Sequence, residues 1–248
     1  MKFKICVFGC ILVSLATLYF VSIDAYTYTA AMRFLFKLVL LCTFLHYKEV
    51  QDKNAFYTFF GLLLLTDVLA LFVAEVNNYF LVPIGIIFFV CYILLLRDAY
   101  RQFKIQDPRN VVAFYYLFVI LINAVLVILH LINLYGYMEG QLAIFIGQVF
   151  YNIALYFMIV LSLAYYLNSY SKKSMYFLIA SLSFVCSDIL VSAFLFYNIQ
   201  ESIISFHTFL SMIGYVFFFN YFFTAEKPQM IEAEILKELS ERKAASKG

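Results

Sequence analysis

Apolar residues follow one another along this chain in long runs instead of alternating with polar ones, and short polar segments punctuate the runs. Runs of about 17–25 residues are what an α-helix needs to cross a bilayer, because a rise of about 1.5 Å per residue must cover a hydrocarbon core of about 30 Å. Eight such runs can be marked, at about 5–23, 30–46, 55–74, 79–97, 111–134, 141–167, 174–197 and 202–224. After Pro228 the pattern changes to a charged tail in which Ile231, Ile235, Leu236 and Leu239 would share one stripe of a short helix. The pattern predicts an all-α, polytopic transmembrane bundle of about eight spans over residues 1–224, with a charged tail at 225–248.

The basic residues orient the bundle. Lys2 and Lys4 precede span 1, Lys48 and Lys53 separate spans 2 and 3, and Arg97, Arg101, Lys104 and Arg109 separate spans 4 and 5. Lys172 and Lys173 separate spans 6 and 7, and the tail is rich in lysine. The alternate connections, EVNN, YGYMEG and NIQES, hold no lysine or arginine. Basic loops stay on the cytoplasmic side, so both termini are expected there, in a plasma or inner membrane. Many tyrosines near the span ends, among them Tyr26, Tyr47, Tyr79, Tyr100 and Tyr137, suit the headgroup region of a chain that has no tryptophan.

Composition agrees: 65% of the residues are hydrophobic and 13% charged, too little polar surface for a soluble domain of this length. The net charge of +2 comes without a Lys/Arg-rich patch, so no nucleic-acid partner is expected. Cys6, Cys10, Cys42, Cys91 and Cys186 all fall inside apolar runs, at spacings that suit neither a disulfide framework nor a metal. Neither a metal nor an organic cofactor is implied. The N-terminal run has no small-x-small cleavage site after it and reads as an uncleaved first span.

Against this background the ionisable residues inside spans stand out. FGLLLLTDVLALF, residues 60–72, carries Asp67, and FVCSDILVSAFLF in span 7 carries Asp188. Span 2 carries Lys37, with Arg33 one turn nearer the outer surface. Given the alternating directions of the spans, Lys37, Asp67 and Asp188 share one level, slightly outside the middle of the membrane. Each charge near the bilayer centre costs roughly 2.5–3.5 kcal/mol, so these groups should face the interior, pair, or line a wet cavity. Two carboxyls sharing one pocket do not both ionise, and a protonated acid beside an ionised one is a general acid/base pair. The same residues also suit a packing role, as a buried Lys–Asp bridge with the second acid simply protonated.

Gln148, Asn152 and Tyr156 follow one another by single turns on span 6, and Asn123, His130 and His207 fall at comparable depths, which suggests a cavity toward the outer leaflet. TDVLA at 66–70 and SDILV at 187–191 echo each other four spans apart, the pattern of a parallel repeat of four plus four spans.

At these residues the chain resembles the YhhN-type lysoplasmalogenases, eight-span membrane proteins with acids on the third and seventh spans. The later element, apolar residues into Ser187-Asp188 followed by Leu190, is the nearer match, and Lys37 corresponds to a lysine of span 2. Three positions depart from the family pattern: Thr66 stands for a glycine, Leu38 for a proline, and span 4 keeps Gly85, Phe89 and Tyr92 without a histidine. The resemblance implies hydrolysis of the vinyl ether of an alkenyl-lysophospholipid, with Asp67 and Asp188 as the acid and base. Lys37, Arg33, Gln148 and Asn152 would contact the substrate. Other readings remain open: a catalytically silent or re-purposed relative, a proton or small-solute transporter, or a scaffold acting through its tail.

Overall fold

Each apolar run becomes one helix, because in lipid every backbone N–H and C=O must find its partner within the segment. The computed structural model describes residues 2–23, 25–47, 50, 53–75, 81–102, 110–137, 142–169, 171–197 and 202–225. In chain order the helices are α1 (Lys2–Ser22), α2 (Tyr26–Tyr47), α3 (Lys53–Glu75), α4 (Leu81–Gln102), α5 (Asn110–Tyr137), α6 (Leu142–Ser169), α7 (Lys172–Tyr197) and α8 (Ser202–Phe223). Seven of them, α2 to α8, are long and apolar enough to cross a membrane, while the apolar part of α1, Phe8–Ser22, is shorter. Among the described residues the chain is all-helical, and its seven long apolar helices suggest a multi-pass membrane protein. The tail with Ile231, Ile235, Leu236 and Leu239 lies outside the described residues.

Hydroxyl residues are frequent inside these helices, and many satisfy themselves locally. Ser14, Thr17, Thr43 and Ser181 each donate to the carbonyl four residues back, at 2.7–2.8 Å. Pro83 falls in the first turn of α4, where its missing N–H has no partner to lose, so α4 continues unbroken past Gly85 to Gln102. Arg97 and Arg101 therefore belong to the end of α4 and not to a loop. Ser171 and Ser174 cap α7 reciprocally, each side-chain oxygen accepting from the other's backbone N–H at 3.1 Å.

Neighbour relations define the architecture. α2 packs on α3, α3 on α4, α4 on α6, α6 on α7, α7 on α8 and α8 on α2, so six helices close a ring. α1 lies against α2 and α8 on the outside, and α5 lies against α6. Large apolar side chains cover the outer faces of both: Phe8, Leu15 and Tyr19 on α1, and Phe118, Leu121, Ile128 and Ile132 on α5, are all more than half exposed. Such surface is stable only against lipid or a partner. Inside, the end of the ring where α3 begins and α8 finishes is filled by aromatic rings. Phe59 packs at a tilt against Phe218 with centroids 4.2 Å apart, and Phe56 meets Phe219, Phe222 and Phe223 at 5.2–5.6 Å.

The ring has an internal order. Exchanging α1–α4 for α5–α8 turns the contacts α1 with α2, α2 with α3 and α3 with α4 into α5 with α6, α6 with α7 and α7 with α8, all of which occur. It also turns α4 with α6 into α8 with α2. The order of helix neighbours in the first half thus recurs in the second, as a parallel repeat would require. The contact of α1 with α8 falls outside this exchange, since among the described residues no comparable packing of α5 on α4 is present.

Candidate functional site

The first polar cluster joins α2, α3 and α8. Lys37, midway along α2, is 1% exposed and its Nζ donates to both carboxylate oxygens of Asp67, at 2.8 and 2.7 Å. The same ammonium lies over the ring of Tyr215 on α8, 4.5 Å from its centroid, so the cation is held by a carboxylate and a π face together. One turn earlier on α2, Arg33 donates from Nη2 to Thr208 Oγ1 of α8 at 2.8 Å. Its buried Nε has no hydrogen-bond acceptor. Among the described residues, the ion pair of this cluster is that of Lys37 with Asp67, and Arg33 is not in one.

A second cluster joins α4, α6 and α7. Asp188 Oδ2 accepts from the hydroxyls of Tyr151 on α6 at 2.7 Å and Tyr92 on α4 at 3.2 Å, and the two hydroxyls are 3.4 Å apart. No cation is among these partners. Asp188, Tyr151, Asn152, Tyr156, Asn123 and His130 line a cavity of about 100 Å³ between α5, α6 and α7. Beside it, Ser187 Oγ and His207 Nδ1 are 2.6 Å apart, and Ser187 Oγ also donates to the His207 carbonyl at 3.2 Å, which ties α7 to α8.

The two clusters draw on corresponding helices of the two halves. Lys37 on α2 corresponds by helix to Tyr151 on α6, Asp67 on α3 to Asp188 on α7, and Tyr215 on α8 to Tyr92 on α4. The difference is chemical: one acid is matched by an ammonium, the other by two phenols. Between the clusters, Tyr215 lies within electrostatic reach of Lys37 and Asp67 and of Tyr92 and Tyr151.

All four ionisable residues singled out from the sequence thus meet interior groups. Lys37 and Asp67 meet each other, Asp188 meets phenols, and among the described residues no hydrogen bond joins the two acids. Asn152 reaches the Asp188 cavity, while the side chain of Gln148 lies outside the described ones. Tyr156 donates to the Ile120 carbonyl of α5 at 3.2 Å, so it joins α5 to α6 as well as lining the cavity. Asn123 and Asn220 also bond to the carbonyl four residues back, each at 2.9 Å.

Sequence reasoning missed Tyr151, Tyr215 and Thr208, three of the groups that complete these clusters. It also passed over Asp98, a buried residue of α4 whose Oδ2 accepts from Tyr221 at 2.6 Å. Lys173, expected as a loop cation, is 6% exposed and covers the Tyr221 ring at 4.9 Å. Among the described residues, no group of three or more His, Cys, Asp or Glu side chains is placed to hold a metal. Compared with known proteins, the chain matches no family model, no curated protein and no solved structure.

Proposed function

We propose that the protein is an integral membrane hydrolase of alkenyl-lysophospholipids, in which Asp188 supplies the proton. The observation that carries this reading is the position of Asp188: a carboxyl with two phenolic donors and no cationic partner, on the wall of a cavity inside the bundle. Cleavage of a vinyl ether begins with protonation of its β-carbon, which leaves an oxocarbenium ion for water to attack. Asp188 gives the proton and, as carboxylate, faces the cation that forms. It then accepts a proton from the attacking water, and the hemiacetal collapses to a fatty aldehyde and a glycerophospho-alcohol. Tyr151 and Tyr92 fix the carboxyl and spread the charge that develops on it.

The headgroup end has a matching candidate. Arg33 carries an unmatched buried N–H, and the nearest acid, Asp67, is occupied by Lys37. From Arg33 a line of adjacent groups runs through Thr208, His207 and Ser187 to Asp188. A lysophospholipid with its phosphate at Arg33 and its ether at Asp188 requires the Asp188 cavity to open along that line, where Thr208 and Ser187 are buried. Asp67 then serves as the counter-charge that keeps Lys37 in place.

The deciding assay is aldehyde release from alkenyl-lysophosphatidylethanolamine by the purified protein in detergent. Asp188→Asn is expected to lower the rate by at least about 100-fold with an unchanged gel-filtration profile, the usual scale for loss of a general acid. An inactive parent protein would overturn the reading. One observation favours a different class. Two halves with the same order of helix neighbours, each with an acid on its third helix, are also the plan of some carriers, and pH-gradient-driven flux into vesicles would support that alternative.

A further inference from the structure

Where α3 begins and α4 and α8 finish, a cavity of about 420 Å³ opens between the three helices. It is separate from the Asp188 cavity, which lies between α5, α6 and α7. Its polar lining comes from Asn54 and Thr58 on α3 and from Arg97 and Arg101 on α4, and its apolar lining includes Phe59 and Phe222. Arg97 and Arg101 are four residues apart, so they share one face of α4. Both are exposed, and among the described residues neither guanidinium is in an ion pair.

One acid, Asp98, also lines the space, but it is buried and engaged. Its carboxylate accepts from Tyr221 at 2.6 Å, and the Lys173 ammonium lies over the Tyr221 ring, 4.9 Å from its centroid. The accessible charge of the cavity is therefore positive, and its walls are apolar. Two convergent guanidinium forks offer more donors than a carboxylate can accept, whereas a phosphate presents a tetrahedron of oxygens that matches them. We propose that this cavity binds a phosphate-bearing amphiphile of net negative charge. Arg97 and Arg101 take the phosphate, Asn54 and Thr58 an adjacent hydroxyl or ester oxygen, and Phe59 and Phe222 the start of the apolar chain. The chemistry is shared by an anionic phospholipid of the surrounding leaflet and by a soluble phosphate ester.

The test is calorimetric titration of the full-length protein, in an uncharged detergent, with dioctanoyl phosphatidic acid, dioctanoyl phosphatidylcholine and inorganic phosphate. Saturable binding of phosphatidic acid is expected, weakened at least about ten-fold in Arg97→Gln/Arg101→Gln, the scale of a lost charge-assisted contact. Thr58→Phe, which narrows the cavity and leaves both charges, is expected to weaken it by a similar factor. These three side chains are exposed, so matched gel-filtration and thermal unfolding profiles establish folding. Inorganic phosphate binding as tightly as the lipid would support phosphate recognition and assign the source to soluble esters. Unchanged affinity in the double variant overturns the proposal. So does loss in the double variant with none in Thr58→Phe, which would mean attraction to surface charge alone, or phosphatidylcholine binding as tightly as phosphatidic acid. The aldehyde assay depends on neither arginine, so this site and the one at Asp188 fail separately.

Discussion

A lysine that is 1% exposed inside a bundle of apolar helices stays charged only if its partners replace water. Lys37 has a carboxylate with both oxygens within 2.8 Å and an aromatic face. Removing one member leaves the other charge buried and unmatched, whereas removing both leaves nothing to compensate. Lys37→Met is therefore expected to cost about 3–5 kcal/mol in chemical unfolding, and Lys37→Met/Asp67→Leu much less. If the double variant is as unstable as the single one, the pair is not what stabilises this part of the bundle. The acids and the lysine were legible in the sequence because a charge in an apolar run is rare and expensive. Tyr151 and Tyr215 were not, since 21 tyrosines are spread along the chain and most suit a headgroup region as readily as an interior.

At the level of elements, α7 and α8 pack most intimately, and Gly214 is where they come close. A Cβ on Gly214 would stand 2.8 Å from the Phe184 ring, which is itself 93% buried by its other neighbours and has little room to turn (7% exposed). Gly214→Ala is expected to destabilise by about 1–3 kcal/mol through overpacking, and Phe184→Leu in the same chain should restore part of it. Gly61→Ala, with nothing within 4 Å of the new methyl, should change stability by less than about 1 kcal/mol, in the favourable direction. Comparing unfolding temperatures of the three variants separates helix propensity from helix contact. Helix existence was readable from run length alone, but helix ends were less so. Arg97, Arg101 and Lys173 read as loop residues because they are charged, yet their long apolar stems let them belong to helices.

For the whole molecule, the loop charges predict a topology that labelling can check. In a variant whose native cysteines are replaced, Gly140→Cys should react with an impermeant maleimide added to intact cells. Lys104→Cys should react only after permeabilisation. The reverse pattern would place both termini outside. The arrangement of six ring helices with α1 and α5 outside could not be read in this way. TDVLA and SDILV gave one echo between the halves, while the repetition of neighbours required coordinates.

By itself, the sequence determined that the chain is a bundle of membrane-length helices and that Lys37, Arg33, Asp67 and Asp188 are interior groups. Both follow from solvation: a long apolar run is stable only in lipid, and a charge within it only against a partner. Which partner each charge takes was decided by the tertiary structure. By depth in the sequence Lys37 could pair with either acid, and the packing of α2 on α3 gives it to Asp67 and leaves Asp188 to two phenols. Those contacts join residues 30, 37 and 96 positions apart, a distance over which local sequence pattern carries no pairing information.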